Sequence, residues 1–167
     1  MFVLVRVVTY STLFIGLVLI LLPAQVLSRA GIGPPESFGA LQIAGALLTI
    51  GGGVLALSCI FAFAVVGKGT PAPFDPPRRL VARGPYAAVR NPMYIGAGLA
   101  LVGASLFYES LALLAYAAAF FLFTHVFVVL YEEPTLRRTF GTAYEAYCGQ
   151  VRRWWPRVRR RGHAGAA

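Results

Sequence analysis

Four uncharged, strongly apolar stretches alternate with short polar segments along the chain, and they predict four membrane-spanning helices at about 7–28, 38–66, 91–108 and 110–131. Roughly 20 apolar residues suffice to cross a bilayer. The second stretch is long enough to cross with tilt, and the third is short. Only Glu109 separates the last two stretches, so they predict a helical hairpin with Tyr108-Glu109-Ser110 at its tip. Pro23 should bend or end the first helix near the interface. Gly45 and the run Gly51-Gly52-Gly53 in the second stretch permit close approach of another helix, or equally a local loosening of their own. The first stretch follows Arg6 and so imitates a secretory signal peptide. It exceeds the usual apolar core of about 7–15 residues and no small-residue cleavage motif follows it, so it reads as a retained transmembrane helix.

After Tyr131 the period changes. The segment Thr135–Arg153 fits an amphipathic helix broken near Gly141, with Leu136, Phe140, Tyr144 and Tyr147 on one face and Arg137, Arg138 and Glu145 opposite. Such a helix suits an interfacial anchor and, compatibly, a cap over a bound cofactor. Trp154-Trp155-Pro156 suits an aromatic interface belt. Between the second and third spans, Gly67, Gly69, Pro71, Pro73, Pro76, Pro77 and Pro85 prevent a regular helix through most of 67–92. Its place between two spans reads as an ordered lid rather than a linker. The predicted fold class is therefore all-α. It is a polytopic transmembrane bundle with a capping loop and a C-terminal amphipathic helix, forming a single domain over 1–167 without internal repeats.

Composition supports this reading. The 167 residues are 58% hydrophobic and 13% charged, where soluble domains are about a quarter charged. The net charge of +9 crowds into 78–90 and 137–161. Cationic loops beside apolar spans follow from the positive-inside rule and argue against nucleic acid as a partner. They favour anionic lipid headgroups. Both basic segments, and with four spans the N-terminus carrying Arg6, should be cytoplasmic; the outer loops hold only Arg29, Glu36 and Glu109. The expected location is a bacterial inner membrane, or the endoplasmic reticulum in a eukaryote, with the bilayer as partner and no obligate protein partner indicated. Cys59 and Cys148 offer no disulfide framework, and no Cys/His cluster has metal-ligand spacing.

Two polar signatures border the apolar spans. One runs Arg83-Gly84-Pro85-Tyr86 to Arg90-Asn91-Pro92-Met93-Tyr94-Ile95-Gly96. The other runs Tyr131-Glu132-Glu133-Pro134, then Leu136, Phe140-Gly141 and Tyr144 through Tyr147, with Val151-Arg152-Arg153 and Pro156 beyond. Adjacent glutamates closing an apolar helix are costly near a membrane without a use. In order and spacing, these signatures resemble the membrane-embedded S-adenosylmethionine methyltransferases, the superfamily of isoprenylcysteine carboxyl methyltransferase and phospholipid N-methyltransferase. The resemblance covers roughly 78–157. It implies S-adenosyl-L-methionine as cofactor, with Arg78, Leu80, Val81, Tyr86, Arg90, Asn91, Pro92, Met93, Tyr94 and Glu132 as cofactor contacts. Gly96-Ala97-Gly98 resembles the Gly-x-Gly of phospholipid methyltransferases, although helix packing explains Gly96 and Gly98 equally well. The residue types suit the ligand: its ammonium wants a carboxylate, its carboxylate wants arginine or backbone N–H groups, and its sulfonium is drawn to aromatic faces.

Two departures from the family pattern matter. The usual histidine before the proline is Asn91, which still donates and accepts hydrogen bonds. Where prenylcysteine enzymes place an arginine for the substrate carboxylate, one turn before the glutamates, this chain has Val128. Candidate general bases are Glu133 and His125, the latter seven residues before Glu132 and so on nearly the same helical face. Tyr144 and Tyr147 are candidate acceptor contacts. Positioning and desolvation alone supply much of the rate of such a displacement, so a base is not obligatory. The resemblance thus implies methyl transfer to a lipidic or apolar acceptor: a phospholipid amine, a prenylcysteine-like carboxylate or a thiol. The alternatives are an NADPH-dependent, sterol-reductase-like membrane enzyme and a non-catalytic membrane subunit.

Overall fold

Where the second and third apolar stretches meet, the size of a few side chains decides the packing. The structure, a computed structural model, describes residues 9, 12–67 and 79–157. A π-helical stretch, Ile15–Leu21, leads into α1 (Leu22–Arg29). Helix α2 (Ala40–Ala62) ends in a second π stretch, Phe63–Gly67. Helices α3 (Pro92–Phe107) and α4 (Leu111–Phe127) follow, and a third π stretch, Val128–Glu132, joins α4 to α5 (Glu133–Phe140). The last helix is α6 (Thr142–Gln150). Three continuous helices, Thr12–Arg29, Ala40–Val65 and Leu111–Phe140, are long and apolar enough to cross a membrane, and α3 is a fourth, shorter apolar helix. The fold is thus the all-helical bundle expected. Among the described residues the nearest thing to a strand is one isolated parallel bridge, Val89 to Arg152.

Helices α2 and α3 form the most extensive contact between elements. They meet through glycines seven residues apart on each. A Cβ added to Gly45 would lie 2.6 Å from the Gly103 oxygen, and one added to Gly52 would lie 2.5 Å from the Gly96 oxygen. The pairing Gly45 with Gly103 and Gly52 with Gly96 makes the two helices antiparallel with touching backbones. Dispersion and close approach, not hydrophobic exclusion, drive helix association inside a bilayer. Thr49 adds a bridge, its hydroxyl lying 2.9 Å from the Gly45 oxygen and 3.3 Å from the Ala100 oxygen. On the opposite side of α2, Ile43, Leu47, Ile50, Val54, Leu57 and Phe61 form an exposed stripe at helical spacing, as a lipid-facing surface requires.

The hairpin between α3 and α4 turns as expected at Tyr108-Glu109-Ser110. Glu109 takes φ 50°, the only non-glycine positive φ among the described residues. Ser110 caps α4 by accepting the Leu113 N–H at 3.1 Å. Gln42, buried at the start of α2, donates to the Glu109 carboxylate and so ties the tip to the neighbouring helix end. The apolar core lies between α3 and α4, around Tyr94, Ala97, Leu101, Ala117, Phe120 and Val128, with the first span laid against it. Tyr116 fixes that span by donating to the Val18 carbonyl at 2.9 Å.

At the other end of the bundle the chain is polar. The continuous helix Leu111–Phe140 has 30 residues and is about 45 Å long, against a hydrocarbon thickness of about 30 Å. Its last turns, with both glutamates, therefore project beyond the apolar zone. A clean stop at the glutamates is not what the structure shows: the helix runs on through Pro134. The Glu133 N–H bonds to the Val128 oxygen, five residues back, so the turn before the proline is widened where a normal ladder would be broken. The expected break at Gly141 is present, at φ 51°. There α6 folds back so that Tyr144, Tyr147 and Val151 pack with Leu80, Leu136 and Phe140.

Candidate active site

The adjacent glutamates point to different partners. Successive helical residues are rotated by about 100°, and here that rotation separates two sets of partners. Glu132 turns toward the start of α3, where the Tyr94 hydroxyl donates to its Oε2 at 2.9 Å. Glu133 turns toward the tail. Arg153 grips it with both ends of its fork, Nε to Oε1 at 2.7 Å and Nη2 to Oε2 at 2.8 Å, and Arg90 Nη2 stands 3.2 Å from Oε1. With its side chain only 6% exposed, Glu133 is a buried carboxylate between two guanidiniums. The hydrogen bond to Glu133 in turn holds Arg153 above the ordinary arginine range.

The first signature folds against this helix end. Arg83 leads into a 3₁₀ turn, Gly84–Ala87, which starts at Gly84 with φ 60°. The turn buries Tyr86 against Cys59 of α2 and Phe63 of its π extension and beside Val81. Burial first, and then the neighbouring Cys59, push its phenol well above the ordinary tyrosine range. The Tyr86 carbonyl accepts the Tyr147 hydroxyl at 2.7 Å. Burial likewise raises Tyr144 and Tyr147, so all three phenols act as neutral groups. Pro92 begins α3, where its missing N–H costs nothing. Asn91 precedes it as the cap, but its side chain caps nothing: it donates to the Arg153 carbonyl at 3.3 Å.

Arg90 also faces the Cys148 sulfur. Its Nε is buried without a partner among the described residues. Beside the site, an apolar groove of about 670 Å³ opens between Leu57, Phe61 and Val65 of α2 and its π extension and the turn at Arg83 and Pro85. Among the described residues no group of three or more His, Cys, Asp or Glu side chains could hold a metal ion.

With that geometry in place, comparison with known proteins is decisive on one point. A model of the phospholipid methyltransferase family matches residues 40–143, which is more than half of the 167 residues. The chain belongs to the phospholipid methyltransferase family. No curated protein and no solved structure gives a significant match. Family membership makes the chain a membrane methyltransferase, and methyltransferases of this family typically use S-adenosylmethionine. Together with the apolar helices, it makes the chain an integral membrane protein. The matched segment holds α2 to α5, both glutamates and the first signature. The first span and the tail beyond Ala143 lie outside it.

The structure gathers most of the residues that the signatures single out. Tyr94 and Glu132 are bonded to each other, and Arg90 and Asn91 sit at the head of α3. Pro92 is fully buried, and Met93 packs against both the core of the α3–α4 pair and the Tyr86 cluster. Val81 is buried beside Tyr86, while Leu80 belongs to the Tyr144 cluster. Arg78 lies outside the described residues, as does the 68–78 part of the expected lid. Four of the expected residues have other neighbours. Gly96 faces the Gly52 backbone of α2, as the packing alternative requires, and a Cβ added to Gly98 would meet only the Phe121 ring, at 3.9 Å. Glu133 is engaged by Arg153 and Arg90. The His125 Nδ1 accepts the Trp154 indole N–H at 3.1 Å. The π stretch Val128–Glu132 lies between His125 and Glu132 and adds a residue to the turn, so the seven-residue spacing no longer puts them on one face.

Tyr144 and Tyr147 are packed into the α6 cluster, with Tyr147 bonded to Tyr86. Both are buried in that cluster rather than projecting into open space. Sequence reasoning missed Arg153, Trp154 and Cys148. The tail arginines read as topology signals, and nothing in a local pattern shows which of several arginines meets a carboxylate 20 residues away.

Proposed function

We propose that this protein transfers a methyl group from S-adenosylmethionine to a lipidic acceptor at the cytoplasmic face of the membrane. The observation that carries the reading is the pairing of opposite unmet needs at one end of the bundle. Glu132 keeps acceptor capacity beyond its single bond to Tyr94, and Arg90 Nε is a buried donor without an acceptor among the described residues. The amino acid end of the cofactor carries an ammonium and a carboxylate, which fit these two groups. Bound there, the cofactor would supply an electrophilic methyl group on sulfur. The residues of the chain bind, orient and exclude water: Glu132 and Tyr94 for the ammonium, Arg90 for the carboxylate, and Tyr86 and Met93 as the apolar wall.

Of the three acceptor classes, a phospholipid amine is best supported. The family description points that way, and Val128, at the place where a carboxylate-binding arginine would stand, is completely buried. An amine in its neutral form attacks with its own lone pair, so the engagement of Glu133 with arginines is no obstacle. The groove beside Leu57 and Phe61 is open to the lipid-facing side of α2, which supports access from within the bilayer. The arginine distribution supports the cytoplasmic placement.

The test is calorimetric binding of S-adenosylhomocysteine to detergent-purified protein, wild type beside Glu132→Gln. Micromolar binding by the wild type, weakened about tenfold or more in the variant as expected for loss of a charged hydrogen-bond partner, supports the reading. Well-folded wild type that binds nothing overturns it.

A further inference from the structure

Three consecutive residues of the tail, Arg152 to Trp154, attach to three separate parts of the site. Arg152 does so by backbone: its carbonyl accepts the Arg90 N–H at 2.9 Å, in the parallel bridge with Val89. The Arg153 carbonyl accepts both the backbone N–H and the side-chain amide of Asn91, each at 3.3 Å. The Arg153 guanidinium forks onto Glu133. Trp154 donates to His125 on α4 and lies 5.0 Å from the Phe121 ring. One short strap thus joins the turn before α3, the start of α5 and the flank of α4. None of these bonds involves Tyr94 or Glu132, yet they grip Asn91, three residues before Tyr94, and Glu133, immediately after Glu132.

We infer that Arg153 is a positioning residue for the cofactor site, acting through Glu133 and Asn91 to hold Glu132 and Tyr94 in register across two helices. The inference rests on the reading under Proposed function and extends it to residues beyond the family-matched segment 40–143. The planar guanidinium is what the arrangement requires. Two parallel N–H donors fix the orientation of the carboxylate as well as its distance, whereas an ammonium in the same place supplies charge without direction. Glu132 sits at the end of a π stretch, where the helix ladder is least regular, so its aim depends on an external fix at the next residue. Arg90, the other guanidinium on Glu133, is partly engaged with Cys148 and cannot by itself supply that fork.

The experiment uses the full chain in detergent with Trp155→Phe. Trp155 is 74% exposed, and its removal leaves Trp154 as the sole indole of two. Arg153→Lys, Arg153→Ala and Arg152→Ala are compared by S-adenosylhomocysteine affinity and by acrylamide quenching of Trp154. Arg153→Ala is expected to expose Trp154 and to weaken binding about tenfold, the scale of a lost charge-assisted hydrogen bond, with millimolar guanidinium restoring both. Arg153→Lys keeps the charge and the fold but not the fork, and is expected to weaken binding about fivefold, between the two extremes. Arg152→Ala, whose side chain is exposed, should match the parent. The inference is overturned if Arg153→Lys and Arg153→Ala bind within twofold of the parent, whether or not Trp154 is released. Should the Ala variant fail to fold, the Lys variant decides alone. Failure of the parent itself to bind is a different result: it removes the proposed function, and this inference with it.

Discussion

The α2–α3 pair and the polar end of the bundle are held by opposite means. In the membrane the helices touch backbone to backbone, and what matters is the absence of side chains at Gly45, Gly52, Gly96 and Gly103. At the polar end, what matters is the presence of specific long side chains: Arg90 and Arg153 on Glu133, Tyr94 on Glu132, Tyr147 on the Tyr86 carbonyl. The first contact fails if anything is added, and the second if anything is taken away. A rigid, tight helix pair gives α3 a fixed starting point, and the polar network then aims its first turn at the glutamates. On the proposed function, the second region is also where the cofactor would be recognised.

The sharpest break is in the glycine contact. Gly52→Val would place carbon atoms within 2.5 Å of the Gly96 backbone, and overpacking of that kind is expected to cost about 3 kcal/mol, read as loss of monodisperse protein or a lower unfolding midpoint in detergent. Its neighbours sharpen the point. Gly51 and Gly53 have nothing within 4 Å of an added Cβ, so Gly51→Ala and Gly53→Ala should be neutral, or stabilising by up to about 0.5 kcal/mol through better helix propensity. Equal damage from all three substitutions would refute the close contact.

Next in size is Glu133→Gln, which leaves Arg90 and Arg153 without their shared counter-charge. Breaking a buried pair is strongly destabilising, but Arg153 is 30% exposed at its side chain, so about 2 kcal/mol is expected here, measured by thermal unfolding. Tyr147→Phe removes one buried hydrogen bond to the Tyr86 carbonyl and should cost about 1 kcal/mol. The smallest effect belongs to Glu145→Gln. Its pair with Arg137, at 2.9 Å, is more than half exposed on both sides, and loss within about 0.5 kcal/mol is expected. A reversal of this order, with the exposed pair outweighing the buried one, would contradict the division of labour between the two regions.

The same contrast explains what could be read in the amino-acid sequence. The helices, the hairpin tip at Glu109 and the break at Gly141 were legible because apolar runs, a lone charge and a lone glycine are local signals. Which glycine of the triplet faces α3 was not, since that depends on the rotation of α2 against its partner. The face shared by His125 and Glu132 was legible only for a regular helix, and the π stretch at Val128–Glu132 removes that premise. The strap was hidden for a different reason: an ion pair 20 residues apart in sequence and a single parallel bridge carry no periodicity, so Arg153 looked like any other tail arginine. Gly96 shows the converse case, a family-like glycine pattern that also serves helix packing.

The central claim is that this site moves a methyl group from S-adenosylmethionine onto a lipid amine. The most direct measurement is the transfer of a labelled methyl group from S-adenosylmethionine into the lipid extract of proteoliposomes made with phosphatidylethanolamine. Label is expected in the phospholipid fraction, abolished by S-adenosylhomocysteine, strongly reduced in Glu132→Gln and unchanged in Glu145→Gln. Protein that binds S-adenosylhomocysteine yet leaves the phospholipid unlabelled would contradict the lipid amine as acceptor, and equal labelling by wild type and Glu132→Gln would contradict the site.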